Sequence, residues 1–478
     1  MKQKDQINVF AHGSYIGTGG YNNHTRDFFR HLSDLINLKV RNFTIGKSWS
    51  HLSDEPHNGE PYLNELDKKL VQYQSLWGGD GELKTYPIHS KYKNDFSHNV
   101  NLVLSETNHH YYYEDYIGPK IAYNVWESTL QPKEFFDKLL EYDQIWVASK
   151  WQAECTIKQG ADPNRVKVVP EGVDVNTFYP ELVNHKDYND GRFKFVLFGR
   201  WDYRKSTKEI IETFLNTFDK DEPVDLIISV DNPYANDGVE TTEDRLALYG
   251  LVDKRIKIKH FPSREDYIKY LKKGHIFLSC ARSEGWNLPL IEAMACGTPS
   301  IYSADSGQME FAEGKGLPVK IKEHKPANLQ DGMFSENLPG EFPEPDFDDL
   351  SKVMRDAYVN YDKHKIKAIE DSKIIHEQFN WDKVAEIGRD TLLDFLDNYT
   401  TSLDSNKIDI TFHPSPKVEI TGDNNKVYKV EFCKGDELIF SDNIGNNMWC
   451  ALPEGDLDIN LSVKINGKLV DSVINRLK

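Results

Sequence analysis

Apolar residues in this chain come in short blocks separated by polar, helix-spaced segments. INVFAHG (7–13), NLVLSE (101–106), KIAYNVWE (120–127) and QIWVAS (144–149) each read as strands of a buried sheet. RVKVVPEGVDVNTFYP (165–180) closes that series with one more strand and the turn residues Pro170, Glu171 and Gly172. A second series begins at Phe193–Phe198 and continues through LIISV (226–230), RIKIKHF (255–261) and GHIFLSC (274–280). Between the strands lie helical segments: Tyr21–Leu32, a helix from Lys205 onward, and Arg264–Lys273. A further helix is capped by Asn287, has Pro289 in its first turn and stops at Gly297. Strand–helix alternation of this kind predicts parallel α/β sheets.

Beyond about residue 400 the period changes to two. KVEIT, KVYKVEF, ELIF, DLDINLSVKI and KLVDSVI alternate apolar and polar residues, and Asn466-Gly467 is a strong hairpin signal. The predicted fold class is therefore α/β: two Rossmann-like βα domains facing a cleft, plus a small C-terminal antiparallel β domain. The boundaries fall at 1–180, 181–380 and 401–478, with Glu181–Gly191 a polar loop at the first junction. The β tail carries no catalytic constellation; oligomerisation, acceptor docking and surface capping all suit it.

A chain of 478 residues fits such a division, and 39% hydrophobic content suffices for packed cores. The net charge of −18 argues against a nucleic-acid partner, which needs a basic face, but not against a nucleotide held by a local cationic clamp. The start, MKQKDQINVF, has no apolar signal region, and no apolar run reaches the ~18 residues of a membrane span. Peripheral membrane contact stays open. Five scattered cysteines without metal-ligand spacing fit reduced thiols, so a cytoplasmic location is expected.

Candidate chemistry gathers at strand ends. Gly17, Gly19 and Gly20 follow the first strand, where they expose backbone N–H groups at a helix start. A tight turn explains them as well as a binding loop does. Gly199, Arg200 and Lys205 follow the strand Phe193–Phe198, with the two cations placed where a helix N-terminus already favours anions. Glu284 lies on the loop after GHIFLSC and Glu292 about a turn into the next helix, where they can accept hydrogen bonds from sugar hydroxyls. His109 heads the run His-His-Tyr-Tyr-Tyr, whose rings can stack on sugar faces or pack on their own domain. Asp346-Phe347-Asp348 and Asp456-Leu457-Asp458 spell D-x-D. The first starts a helix and the second falls in a strand pattern, so neither is read as a metal site.

The run E-G-W-N-L-P-L-I-E-A-M-A-C-G-T-P from Glu284 to Pro299 resembles the E-x7-E segment of retaining glycosyltransferases of family 4, the glycosyl transferases group 1 type. Arg200 and Lys205 match that family's G-R-x4-K-G phosphate clamp, with Ser206 in place of the glycine. V-V-P-E-G-V-D at 168–174 resembles its domain-crossing segment. Trp126-Glu127 stands where many relatives have a His-Asp pair whose His touches the donor sugar. The resemblance covers roughly residues 1–400. It implies a GT-B fold whose helix 381–398 crosses back to complete an acceptor-side N-terminal domain. It also implies transfer from a nucleotide-diphosphate sugar to a saccharide, lipid-linked or protein acceptor, with retention and without a metal or other cofactor. Glu284, Arg200 and Lys205 would be catalytic. The nucleotide-sugar contacts would come from Gly19, Gly20, Gly199, Arg200, Lys205, Glu284, Gly285, Asn287, Leu288 and Glu292. Glu127 and His109 are candidate acceptor or sugar contacts, and Trp126 is either such a contact or a core residue. A nucleotide-sugar epimerase and a non-catalytic sugar-binding scaffold are the rival readings.

Overall fold

The computed structural model describes residues 7–16, 19–44, 65–77, 83–87, 100–105, 119–181, 191–232, 238–261, 263–327 and 339–403, and the strands between 409 and 476. Among the described residues the first lobe is built on eight strands: β1 (Asn8–Gly13), β2 (Asn37–Thr44), β3 (Val71–Trp77), β4 (Leu83–Pro87), β5 (Val100–Leu104), β6 (Lys120–Asn124), β7 (Gln144–Val147) and β8 (Val166–Val168). Their order is β4-β3-β2-β1-β5-β6-β7-β8, and all run parallel except β4. The second lobe has β9 (Phe193–Phe198), β10 (Val224–Ser229), β11 (Ile256–Ile258), β12 (Ile276–Ser279), β13 (Ser300–Ser303) and β14 (Leu317–Val319), all parallel in the order β11-β10-β9-β12-β13-β14. In each sheet the chain works outward from a central strand and then restarts on that strand's other side. The restart points are β1/β5 and β9/β12. Loops leaving the carboxyl ends of such neighbours diverge and leave a crevice, which is where ligands bind open α/β sheets.

Hydrophobic burial fixes both sheets. Val9, Ala11, Val100, Leu102 and Leu104 have no exposed surface in the first lobe, nor have Phe195, Leu226, Ile276 and Leu278 in the second. These strands are covered on both faces, which explains their near-continuous apolar sequence. The helix Trp381–Leu403 leaves the second lobe and packs on the first, adding Trp381, Val384, Leu392 and Phe395 to a core with Phe28, Phe29 and Leu32. It extends past the predicted 381–398. Its seat is tight: a Cβ on Gly172 would lie 2.6 Å from the Trp381 ring, and one on Gly388 would lie 2.8 Å from Phe28. The two inter-lobe passages touch, since Val173 N–H donates to the Phe379 carbonyl at 2.8 Å and Val173 bridges Asn380.

Two features differ from expectation. The helix predicted from Lys205 begins at Thr207, because Ser206 adopts a left-handed conformation (φ 54°) at its N-cap. A hairpin, β15 (Ile321–Pro326) with β16 (Glu341–Pro345), projects from the second lobe to the first. There Ser128 Oγ donates to the Pro339 carbonyl, Glu341 N–H donates to Thr129 Oγ1, and Trp126 packs against Ala327 and Phe342. Asp346 caps the following helix by accepting from the N–H groups of Asp348 and Asp349.

The tail strands form antiparallel sheets of three and four strands. Asp458–Ile465 pairs with Lys468–Arg476, while Asn466-Gly467 between them lies outside the described residues, as do Gly17, His109, Asp456 and residues 182–190. Among the described residues, no helix is long and apolar enough to cross a membrane.

Candidate active site

The crevice at the β9/β12 restart is bounded by the loop 199–206 after β9 and the loop 280–287 after β12. At its floor is a pocket whose lining includes Gly199, Arg200, Lys205, Thr207, Ser279 and Asn287. Gly199 has φ +149°, a value that side-chain-bearing residues rarely adopt, so glycine lets the chain turn off the strand. Asp202 braces the loop by accepting from Lys205 N–H at 2.7 Å and lies 3.5 Å from the Arg200 guanidinium. The hydroxyl of Thr207 donates to the Arg200 carbonyl at 2.9 Å.

The second loop is held from below. Arg282 is 2% exposed, and its guanidinium donates to Glu344 at 2.6 and 3.1 Å and to Glu209 at 2.8 Å. It also donates to the Tyr203 carbonyl, which ties the two loops together. Glu284 N–H donates to Ser306 Oγ at 3.0 Å, and Gly307 N–H donates to the Glu284 carbonyl at 2.8 Å. A Cβ on Gly307 would lie 1.9 Å from the Gly285 carbonyl oxygen, so this approach requires glycine. Asn287, in a left-handed conformation (φ 88°), caps the helix Leu288–Ala295 and donates to Ser279 Oγ and Gln308 Oε1 at 2.8 and 2.7 Å.

Glu284 itself is 4% exposed and meets two cations. Lys205 Nζ donates to Oε1 at 2.5 Å and Arg204 Nη1 to Oε2 at 2.9 Å. Burial alone would raise its pKa, but Lys205 and then Arg204 outweigh burial and hold the carboxyl below its ordinary value. Arg204 reaches across the cleft as well: its Nη2 is 3.5 Å from Glu127 Oε1 of the first lobe. Burial would weaken its charge, yet Glu127, Glu284 and Asp202 reverse that and keep it firmly protonated. Glu171, on the inter-lobe passage, is 4% exposed. Its carboxyl is pushed well up, first by burial and then by the charges of Glu127 and Glu284.

Glu292 sits apart from this group. Arg264 donates to its Oε1 at 3.0 Å and Tyr267 to its Oε2 at 2.5 Å. Burial raises its pKa despite these partners. Leu288 and Gly285 border the helix start, and Gly285 abuts the first lobe, where its Cβ would lie 2.4 Å from Val125 Cγ1. On the facing lobe Gly19 is the N-cap of the helix Gly20–Leu32, and Asn22 clamps the loop by donating to the carbonyls of Ser14 and Ile16. Trp126 is 7% exposed with its indole N–H donating to Ser128 Oγ and the Leu130 carbonyl, so it packs and offers no open ring face. Sequence reasoning missed Arg204, whose weight comes from Glu127 and Glu284, neither near it in sequence.

Residues 180–332 match the family model for glycosyl transferases group 1. Among curated proteins, the phosphatidylinositol N-acetylglucosaminyltransferase gpi3 subunit of Schizosaccharomyces pombe is 23% identical over 51% of this chain and 46% of its own length. A probable sucrose-phosphate synthase of Thermosipho melanesiensis is 25% identical over 44% of this chain and 46% of its own. The chain thus spans about half the length of the curated relatives it matches. Of solved structures, sucrose-phosphate synthase from Thermosynechococcus elongatus superposes with TM-score 0.60 at 16% identity, covering 82% of this chain and 100% of that one. Anabaena HepE in complex with UDP-glucose superposes with TM-score 0.58 at 13% identity, covering 81% and 100%. At these identities the likeness establishes the fold.

Proposed function

From a second lobe that belongs to the glycosyl transferases group 1 family, in a chain with the GT-B fold, we propose a glycosyltransferase acting on a nucleotide-diphosphate sugar. The acceptor is a hydroxyl, the anomeric configuration is retained, and no metal takes part. One observation carries the reading. A buried, anionic Glu284 is held by Arg204 and Lys205 beside the Arg200 pocket, at the restart point of the sheet. Breaking the anomeric C–O bond puts negative charge on the departing diphosphate and positive charge on the sugar ring. Lys205, Arg200 and the positive dipole end of the helix Leu288–Ala295 meet the first, and Glu284 meets the second. The acceptor oxygen attacks from the leaving group's own face and forms the new C–O bond. The departing phosphate oxygen takes its proton. The complex of HepE with UDP-glucose supports a nucleotide-sugar donor by analogy of fold.

The test is incubation with a panel of UDP-, GDP- and ADP-sugars after exhaustive EDTA treatment, read by released nucleotide and by product anomer. Transfer or slow hydrolysis is expected. Epimer formation, binding without turnover, or activity restored only by Mg²⁺ or Mn²⁺ would each refute part of the reading.

A further inference from the structure

We infer that Arg204 is a positioning residue: it holds Glu284 anionic and aimed while Lys205 serves the diphosphate, and through Glu127 it ties that hold to the contact between lobes. The inference rests on the function proposed above and concerns the same site. Its starting point is a conflict of duties. The clamp cation Lys205 is in contact with Glu284 at 2.5 Å, so it cannot give its full charge to a phosphate without loosening that contact. A carboxylate 4% exposed and left without a cation would be driven toward its neutral form. Arg204 removes the conflict. Its Nη1 donates both to Glu284 Oε2 at 2.9 Å and to the Ser283 carbonyl at 2.8 Å, which fixes the loop backbone as well as the side chain. Its own carbonyl accepts from Arg282 N–H at 2.6 Å, so it is anchored at both ends. At 7% exposure it has no room to turn elsewhere.

Its second arm points at the other lobe. Glu127 Oε1 lies 3.5 Å from Nη2, and that carboxylate is 40% exposed, free to follow a change in the lobe contact. A planar guanidinium can serve both carboxylates at once, which the single ammonium of Lys205 cannot do with fixed geometry. The charged groups facing Glu284 are Lys205 and Arg204, with Glu127 and Glu171 on the opposing side; Asp202 faces Arg204. Replacing Arg204 by a neutral residue leaves Glu284 facing two carboxyls with one cation. Its folded pKa then rises, so the charged form weakens the fold above that pKa and the weakness disappears as pH falls through it.

The decisive experiment needs no substrate at its first stage. Melting temperature is measured from pH 8 to pH 4 for wild type, Arg204→Gln and Arg204→Lys. Arg204→Gln should melt below wild type at pH 8, with the gap closing toward pH 4, and Arg204→Lys should recover most of it. A gap independent of pH overturns the inference. In the second stage donor turnover is followed against pH. The acid limb should move up by about one pH unit in Arg204→Gln, while affinity for UDP and GDP stays within about threefold. A limb that stays put with a tenfold loss of nucleotide affinity makes Arg204 a phosphate ligand and refutes the proposal. Glu127→Gln should lower the plateau rate without raising the limb; an unchanged plateau removes the cross-lobe half. Should Arg204→Gln not fold, Arg204→Lys and Glu127→Gln carry both stages. If wild type turns over no nucleotide sugar, the proposed function fails, and the melting comparison still decides the role of Arg204.

Discussion

Gly285→Ala is the sharpest perturbation of the site, because it adds one methyl group where the lobes meet. The new Cβ would lie 2.4 Å from Val125 Cγ1, and 3.1 and 3.3 Å from the Trp126 carbonyl oxygen and amide nitrogen. Ordinary contact begins near 3.4 Å, so Val125 or its lobe must retreat by about 1 Å; overpacking of this kind costs about 1–3 kcal/mol. Val125 and Trp126 belong to the first lobe and Gly285 to the second. Separating the lobes relieves the strain more cheaply than remodelling either core. If the full cost opposes the lobe contact, donor turnover falls about 5- to 150-fold, since each 1.4 kcal/mol is a factor of ten. Nucleotide affinity should hold, because Arg200 and Lys205 are untouched. The assay is nucleotide release from donor sugar, with calorimetric nucleotide binding and melting temperature on the same protein. Turnover within twofold of wild type would refute the claim that this contact is needed for chemistry. Loss of nucleotide affinity would refute the claim that the damage stays at the lobe contact.

Other outcomes are expected from single substitutions. Lys205→Ala and Arg200→Ala should each weaken nucleotide binding by about 1.5–3 kcal/mol, measured by calorimetry, with melting temperature largely kept. On the proposed mechanism Glu284→Gln should chiefly lower kcat, because there the carboxylate aids a ring that is positive only in the transition state, whereas Glu292→Gln should chiefly raise the donor KM. Steady-state kinetics showing the larger rate defect in Glu292→Gln would reverse those roles. Glu171, raised by burial and by Glu127 and Glu284, binds its proton more tightly folded than unfolded, so it costs stability as pH rises past the ordinary carboxyl range. Glu171→Gln should therefore melt higher than wild type at pH 7 and match it near pH 4.

The parts of this molecule that could be read from sequence are those encoded in contiguous residues. Buried parallel strands such as β5, β6, β9 and β12 are mostly apolar runs, and the cap at Asn287, Pro289 and Gly297 marks one helix at both ends. Arg200, Lys205 and Glu284 stand in recognisable spacing on loops that follow such strands. What escaped was set by residues far apart. Arg204 reads as one more surface cation beside Tyr203 and Lys205 until folding brings Glu284, 80 residues on, against it. β15 is exposed at most positions and lacks the apolar alternation that announces a strand; its pairing with β16 comes from the backbone ladder and from Phe342 packing inward. The partners of Glu292 were hidden similarly, since Arg264 and Tyr267 sit one turn apart on a helix whose sequence shows acidic residues in its first turn and basic ones in its last.

The paired passages at Val173 and Asn380 have a mechanical consequence. A chain that crosses once between two bodies permits twisting, swinging and sliding. Here it crosses twice, and a backbone hydrogen bond at 2.8 Å laces the crossings side by side. Two adjacent tethers act as a door hinge: one rotation stays soft, while twist and slide are resisted by covalent chain on both sides. Searching one angle, rather than several independent motions, lowers the ordering cost of bringing Glu127 to Arg204. A cut in either passage alone would leave the bodies attached but turn the hinge into a swivel.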